Sequence, residues 1–373
     1  MAKGAYIGVD GKARKVKKIY IGVSNVAKKV KKAYIGVDGK ARLCYSGAGV
    51  ITYKKTITRP ICNDFGSGAI GHYAVMGPGT QTDIDGYLYM YSYMNCYNSS
   101  FTATGTRDVG RSGYGIASSN DYMMIAGGSA SGSPYDAVKA YNPSLTATNA
   151  DSLPQAMSGL MGVTAGNKIL FMGRDTSIYA YTGLTQTTYS NGIQLSTEYS
   201  ATTSFGELAV VVRGGAHSNT TYSTDVYYYN SSITKSQFST GLATPVTGAS
   251  ACSNGSYLLV GGGKYGDNLY TTTVNAFSKD FVRHTTNLSM EAWVPRIYNK
   301  SFGVEGYGVF VISASRKRAE AFDESLTRIS INETISGVRY PTYIANKTYF
   351  LIMSDIASVG SDQYNSVYCY SIV

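Results

Sequence analysis

A short apolar run that ends in glycines recurs along this chain. Its clearest copy is Tyr-Leu-Leu-Val-Gly-Gly-Gly at residues 257–263, and a polar, β-branched run begins at Thr271. An apolar run, a glycine turn and a second β-prone run predict a buried strand followed by a paired strand. Similar pairs of runs occupy residues 122–128 and 137–141, 169–173 and 178–181, and 208–215 and 225–229.

Three weaker copies raise the number of these units to seven. They occupy residues 73–77 and 87–91, 307–312 and 319–322, and 349–353 and 366–370. The units are spaced by roughly 40–50 residues, which is the period of propeller blades. Because one unit cannot bury its own apolar face, neighbouring units must stack, and a closed ring also protects the sheet edges. We therefore predict an all-β, seven-bladed β-propeller with blades at residues 61–107, 108–153, 154–196, 197–242, 243–290, 291–332 and 333–373.

The best unit, residues 158–173, resembles a kelch-type repeat in its order of small residues, turn, apolar run and glycine. Three segments resemble each other as lead-ins to an outer strand: Asn142-Pro-Ser-Leu145, Asn230-Ser-Ser-Ile233 and Asp323-Glu-Ser-Leu326. The departures are that Trp293 is the only tryptophan and that several units lack the double glycine. The resemblance implies a kelch-like ring closed by an N-terminal strand. We expect residues 51–57 to lie beside residues 365–370.

A shorter repeat of 14 residues fills the N-terminal arm, residues 1–46. Its three copies are residues 5–18, 19–32 and 33–46, and Asp10-Gly11 is a tight-turn signal. Each copy predicts a small β-hairpin, so we divide the chain into a hairpin arm (1–46) and a propeller (47–373). The arm holds 12 Lys/Arg and 2 Asp/Glu, whereas residues 47–373 hold 21 of each. Because lone hairpins are marginal in water, we expect the arm to be ordered by assembly, in a homo-oligomer.

The 14-residue pattern resembles hairpin repeats at the start of tail and minor structural proteins of phages and prophages of Gram-positive bacteria. The resemblance implies a virion component that is assembled in the bacterial cytoplasm and docks on other virion or tail proteins. Neither a signal peptide nor a membrane-spanning segment is visible in the sequence. The basic arm suits an acidic protein surface or a solvated face more than nucleic acid. The candidate assembly residues are Tyr6, Lys12, Arg14, Lys17, Tyr20, Lys28, Lys31, Tyr34, Lys40 and Arg42.

Residues that could support catalysis or bind a metal are scattered. The three histidines, His72, His217 and His284, fall in different predicted blades, and the five cysteines form no Cys-x-x-Cys pair. Hydrolase elbows, phosphate loops and zinc-protease motifs are also missing from the sequence. We therefore predict no cofactor, no metal and no enzyme. Glycoside hydrolysis stays open, because paired carboxylates need only spatial proximity. We favour turn formation over catalysis for the candidate carboxylates, Asp83, Asp85, Asp136 and Asp267.

The long connections between second and third strands are the candidate binding surface. They cover residues 128–135, 215–223 and 263–270 and are rich in Gly, Ser and Tyr. In a kelch-like ring they share one face, where aromatic side chains beside hydrogen-bonding groups suit a sugar or a protein. We predict binding of a host-surface glycan or protein; a glycan-degrading enzyme and an intracellular kelch-type interaction module are the alternatives. The candidate ligand-binding residues are Tyr135, Asp136, His217, Tyr222, Lys264, Tyr265, Asp267 and Tyr270.

Overall fold

The computed structural model describes most of the chain in segments. These are residues 6–9, 12–15, 20–23, 26–29, 32–37, 40–46, 50–60, 66–82, 88–108, 110–196, 199–214, 222–266, 269–290, 301–311, 319–331, 342–353 and 364–372. Every regular element in these segments is a β-strand. The chain divides into two compact units, one over Met1–Val50 with Val373 and one over Ile51–Ile372.

The first unit contains three antiparallel strand pairs. The strands are β1 (Tyr6–Val9), β2 (Lys12–Lys15), β3 (Tyr20–Val23), β4 (Val26–Lys29), β5 (Lys32–Val37) and β6 (Lys40–Ser46). They pair as β1 with β2, β3 with β4 and β5 with β6. The same register recurs, with Val9 opposite Lys12, Val23 opposite Val26 and Val37 opposite Lys40.

The second unit consists of seven four-stranded antiparallel sheets. The first strand, β7 (Ile51–Pro60), belongs to the last sheet. Blade 1 contains β8 (Ser67–Ile70), β9 (Tyr73–Met76), β12 (Tyr93–Tyr97) and β13 (Ala103–Arg107), with β10 (Gly79–Thr82) and β11 (Leu88–Tyr91) forming a small extra hairpin. Blade 2 contains β14 (Gly115–Ser118), β15 (Met123–Ala126), β18 (Val138–Tyr141) and β19 (Ala147–Asn149), with a small hairpin of β16 (Ser129–Ala130) and β17 (Ser133–Pro134).

The next three blades follow the same plan. Blade 3 contains β20 (Met161–Ala165), β21 (Lys168–Met172), β22 (Ile178–Thr182) and β23 (Thr185–Tyr189). Blade 4 contains β24 (Ala201–Phe205), β25 (Leu208–Val212), β26 (Val226–Tyr229) and β27 (Lys235–Gln237). Blade 5 contains β28 (Ser250–Ser253), β29 (Leu258–Gly261), β32 (Thr273–Phe277) and β33 (Arg283–Ser289), with a small hairpin of β30 (Lys264–Gly266) and β31 (Leu269–Tyr270).

The last blade closes the ring as the sequence predicts. Blade 6 contains β34 (Ser301–Val304), β35 (Tyr307–Val311), β36 (Ala319–Asp323) and β37 (Arg328–Ile331). Blade 7 contains β38 (Thr342–Asn346), β39 (Tyr349–Met353), β40 (Tyr364–Ile372) and, as its fourth strand, β7. Strand β7 pairs antiparallel with β40, with Ile57 opposite Val367 and Ile51 opposite Ile372. The predicted closure by an N-terminal strand is therefore confirmed.

The apolar core lies between the blades. Seven clusters of buried side chains each join two neighbouring blades, so that every blade contributes to two clusters. For example, Ile125 and Tyr141 of blade 2 pack with Val75 of blade 1. The cluster between blades 7 and 1 completes the circle. Each blade therefore buries both of its faces, which is why a single repeat could not fold alone.

Neighbouring inner strands approach closely around the ring. A Cβ at Gly162 would lie 2.3 Å from the Ile116 carbonyl oxygen, so this position has room only for glycine. Hydroxyl groups also link neighbouring first strands: Thr164 Oγ1 donates to the Ser118 carbonyl at 2.7 Å, and Ser204 Oγ donates to the Thr164 carbonyl at 2.9 Å. Small and hydroxyl-bearing residues on the first strands therefore set how tightly the blades converge.

The turns between third and fourth strands share an unusual backbone. In five of the described blades an apolar residue adopts a positive φ of 60–64°, namely Phe101, Leu145, Ile233, Phe281 and Leu326. In four of these turns a preceding Asn or Asp side chain accepts backbone hydrogen bonds from the residues two and four positions later. Left-handed backbone is unfavourable for such residues, so the turn must be stabilised by these bonds and by packing of the apolar side chain. This geometry explains the Asn/Asp-x-Ser-apolar lead-ins of the sequence.

One strand assignment made from the sequence is wrong. The sequence places residues 87–91 as the third strand of blade 1, but Leu88–Tyr91 pairs with Gly79–Thr82 in the small extra hairpin. The third strand is Tyr93–Tyr97, with Cys96 opposite Val75. Met94 and Cys96 are fully buried, so this segment supplies the alternating core residues that a third strand needs. Two β-prone runs stand in tandem here, and only packing distinguishes them.

Candidate functional site

The antiparallel order of the strands fixes which connections share a face. Connections between second and third strands leave the ring on the same side as the linkers between blades, whereas the other two turns leave on the opposite side. We call the first side the loop face. Its described connections include residues 77–82, 88–92, 127–137, 262–266 and 269–272. The small extra hairpins β10–β11, β16–β17 and β30–β31 all belong to it.

A single linker joins the loop-face connections of blades 4 and 5. Ser223 of the blade 4 connection forms a backbone bridge with Val246, and Lys264 of the blade 5 connection forms one with the next residue, Thr247. In the second bridge the N–H of each residue donates to the carbonyl of the other, at 2.8 and 2.9 Å. Two consecutive residues therefore hold both connections in place.

Glycine makes this close approach possible. Gly262 and Gly263 directly follow strand β29, with positive φ values of 73° and 96°. A Cβ at Gly263 would lie 3.0 Å from the Thr247 carbonyl oxygen and 3.1 Å from the Ala249 nitrogen. The equivalent pair in blade 2 is Gly127-Gly128, where a Cβ at Gly128 would lie 2.9 Å from the Ser112 carbonyl oxygen. The double glycine of the repeat thus accommodates the linker that crosses the end of the second strand.

The blade 5 hairpin presents two apolar side chains to solvent. Tyr265 is 43% exposed and Leu269 is 51% exposed. Both belong to the β30–β31 strand pair, which the Lys264–Thr247 backbone bonds join to the linker. Lys264 is buried and Tyr270 is half-buried at that base, opposite each other in the strand pair. Leu269 lies against Gly266, where an added Cβ would meet its Cδ1 at 3.0 Å. The hairpin therefore holds an aromatic and an aliphatic group on a fixed support.

The structure groups only part of the predicted binding residues. Tyr222 is half-buried beside the Ser223 bridge and therefore belongs with Lys264, Tyr265 and Tyr270. Tyr135, half-buried, and Asp136, exposed, lie on the loop face of blade 2, which blade 3 separates from blade 4. His217 and Asp267 lie outside the described residues, as do the carboxylate candidates Asp83 and Asp85.

The predicted assembly residues lie in the arm. Tyr6, Tyr20 and Tyr34 lie on the first strands of the three pairs. The second strands carry Lys12, Arg14, Lys28, Lys40 and Arg42. Lys17 and Lys31 lie outside the described residues.

A buried ion pair in the linker between blades 1 and 2 escaped the sequence reasoning. Arg111 Nη2 lies 3.1 Å from Asp108 Oδ2, and Nη1 donates to the carbonyls of Gly127 at 2.8 Å and Ala137 at 3.1 Å. Both side chains are essentially inaccessible. The burial of Tyr141, together with the nearby Asp108 carboxylate, raises the pKa of its hydroxyl above its usual range. The pair fixes both ends of the blade 2 connection, and a lone Arg in a Gly/Ser linker gives no sequence signal for this role.

The described residues contain little reactive chemistry. Among them, no group of three or more His, Cys, Asp or Glu side chains could hold a metal ion. The thiols of Cys96, Cys252 and Cys369 are buried, and burial raises the pKa of Cys96 and of Cys369 to about 12. Thiols of this kind stay protonated and unreactive at neutral pH. A search of the described segments also finds no helix that is long and apolar enough to cross a membrane.

Comparison with known proteins supports the fold alone. The sequence matches no family model and no curated protein. Among solved structures, one described as the structure of YjhT aligns with a TM-score of 0.50 and 10% sequence identity, covering 79% of this chain and 95% of that chain. The fold is a seven-bladed β-propeller. The kelch and phage resemblances still rest on the sequence motifs that suggested them.

Proposed function

We propose that this propeller is a non-enzymatic binding component of a phage or phage-tail-like particle. In this proposal the loop face binds a host-surface glycan or protein, and the basic arm docks the ring onto other particle proteins. The observation that carries the binding role is the blade 5 hairpin with its exposed Tyr265 and Leu269 on a support of backbone bonds. Aromatic and aliphatic groups held on a rigid base lose little entropy when a ligand covers them.

The charge distribution supports a division of labour between arm and ring. The arm carries the whole net charge of the chain, and residues 47–373 are balanced. A neutral ring relies on shape and on local apolar contacts to select its ligand, whereas a strongly basic arm favours an acidic protein surface. The particle role itself depends on the resemblance of the 14-residue repeat.

A pair of substitutions tests the binding role. The double variant Tyr265→Ala/Leu269→Ala should bind host cells at least about 30-fold more weakly, because central apolar anchors typically contribute 2 kcal/mol or more. Binding of fluorescently labelled full-length protein to cells of the host bacterium measures this loss. The matched control is Val282→Ala, because Val282 is 43% exposed on a turn between third and fourth strands, which leaves the ring on the opposite side. Equal binding by the double variant and the control would refute the proposed surface.

A second experiment tests the particle role. Immuno-electron microscopy with antibody against the ring should label tails or capsids purified from the producing cell. Replacing the Lys and Arg residues of β2, β4 and β6 by Gln should reduce this label while host-cell binding by free protein persists. Label found only on free protein would rule out a particle component and leave the binding role to be judged by the first experiment.

A further inference from the structure

The two strands of each arm hairpin differ in charge. β1 and β3 read Tyr-Ile-Gly-Val and hold no charged residue, whereas β2 reads Lys-Ala-Arg-Lys and β4 reads Val-Ala-Lys-Lys. In the third pair, β5 is uncharged after Lys32, and β6 carries Lys40 and Arg42. Apolar and basic residues are therefore segregated by strand, so that each hairpin has one uncharged edge and one basic edge.

Both edges are open within the described part of the chain, since these strands pair only within their own hairpin. A strand with an open edge is a template for another strand, and Lys residues on an edge disfavour such pairing. The basic second strands carry this protection, and the Tyr-Ile-Gly-Val strands do not. Strand addition is therefore directed to the first strand of each hairpin.

The register shows which backbone groups point outward from that edge. Val9 lies opposite Lys12 with two residues between them, so this closing pair exchanges its hydrogen bonds within the hairpin. The next pair, Gly8 opposite Ala13, then directs its N–H and C=O groups away from the partner strand. The same Gly–Ala pair recurs as Gly22 with Ala27 and Gly36 with Ala41. Glycine inside a strand favours the close approach of another backbone.

We propose that the arm self-associates, with each Tyr-Ile-Gly-Val strand adding antiparallel to the equivalent strand of a second copy of this chain. In the register centred on the isoleucine, Ile7 lies opposite Ile7 of the second copy, and Gly8 lies opposite Tyr6 of the second copy. The outward N–H and C=O groups of Gly8 then form hydrogen bonds with those of Tyr6. Uncharged strands then meet uncharged strands, whereas pairing through the second strands would place Lys and Arg opposite each other, which is unfavourable. Three identical strands per arm make the association multivalent. This inference rests on the proposed assembly role of the arm and adds a second copy of this chain to the particle proteins that it contacts.

Proline substitutions distinguish association through the uncharged edge from association through the basic edge. The triple variant Gly8→Pro/Gly22→Pro/Gly36→Pro removes one outward N–H from each first strand. Its matched control, Ala13→Pro/Ala27→Pro/Ala41→Pro, removes the N–H of the paired residue on each basic edge. Both sets leave the hydrogen bonds within the hairpins intact, and proline is tolerated at an exposed edge. The glycine set should weaken self-association about tenfold for each donor lost, and the alanine set should leave it unchanged.

Sedimentation velocity of the purified full-length chain gives the readout, without ligand or particle. We expect wild-type oligomers at tens of micromolar that persist in about 0.5 M salt, since salt screens the repulsion between the basic edges. A monomeric wild type, or equal losses in the two triple variants, would overturn the proposal. Dissociation by salt would also overturn it, because it would show that ionic contacts, and not the uncharged strands, hold the copies together. Host-cell binding through Tyr265 and Leu269 is measured separately, so failure of self-association leaves the loop-face proposal to stand or fall by its own test.

Discussion

Replacing Gly263 by alanine tests the account of the double glycine. Gly263 has a φ of 96°, and an added Cβ would meet the Thr247 carbonyl oxygen at 3.0 Å and both the Ala249 nitrogen and Val246 Cβ at 3.1 Å. A left-handed backbone costs an alanine roughly 1–2 kcal/mol. Crowding against the linker backbone adds about 1–3 kcal/mol, as overpacking of a tight interior typically does. The expected loss of unfolding free energy is therefore about 2–5 kcal/mol.

Gly132 provides a matched control. It also has a positive φ, 81°, but a Cβ there would have no heavy atom within 4 Å. Gly132→Ala therefore keeps the backbone penalty of about 1–2 kcal/mol and lacks the crowding. The comparison isolates the contact between the glycine and the linker.

Thermal unfolding followed by circular dichroism measures both variants. For a unit of the size of Ile51–Ile372, the unfolding entropy gives a shift of about 1.5 °C in Tm for each kcal/mol. Gly263→Ala should lower Tm by about 3–7 °C and Gly132→Ala by about 1.5–3 °C. Gly263→Ala should also weaken host-cell binding, because the Thr247–Lys264 bridge supports the hairpin that carries Tyr265. Equal Tm shifts for the two variants would show that linker crowding does not select the glycine.

Four further predictions address the ring. Asp108→Ala should destabilise it by about 3–5 kcal/mol in urea unfolding, because Arg111 keeps a buried charge without its carboxylate; a loss below about 1 kcal/mol would contradict a buried pair. Asn142→Ala should reduce stability by about 1–2 kcal/mol, since its side chain accepts two backbone hydrogen bonds at 3.0 Å. Ile57→Asp should cost at least about 2 kcal/mol and expose residues 50–60 to protease, because it places a charge against the cluster between blades 7 and 1. Burial raises the pKa of Cys96 from 9.0 to about 12, so the unfolded state loses this proton first and stability should fall between these pH values by about 1.4 kcal/mol per pH unit; Cys96→Ala should make that dependence shallower.

Much of the ring could be predicted because its physical signals are local and repeated. An apolar run must be buried, a double glycine must turn, and a repeat that cannot bury its own face must stack. The extra strand at residues 51–57 and the missing fourth strand of the last blade predicted that the N-terminal strand closes the ring. The pairing of β7 with β40 confirms this. The Asn/Asp-x-Ser-apolar lead-ins also follow from local chemistry, since the side-chain oxygen and the turn lie within five residues.

The candidate site was less predictable because it depends on which connections the ring brings together. The sequence indicates tyrosine-rich loops, but it gives no reason to group Tyr222 with Lys264 and to separate both from Tyr135. That grouping follows from Val246 and Thr247, which bridge two connections at once. From the sequence, Leu269 is an ordinary apolar residue in a polar loop, and only the structure shows it exposed on the same strand pair as Tyr265.

By itself, the sequence determined the strand content, the number of blades, the place of closure and the concentration of charge in the arm, because periodicity, turn chemistry and charge are properties of nearby residues. Only the tertiary structure decided that Tyr93–Tyr97, and not residues 87–91, completes blade 1, because two equally β-prone runs compete for one place in a core. It also decided that Arg111 and Asp108 are buried together, because their environment comes from Gly127 and Ala137 on another connection. Contacts between distant segments are set by packing, and packing is what a linear pattern does not record.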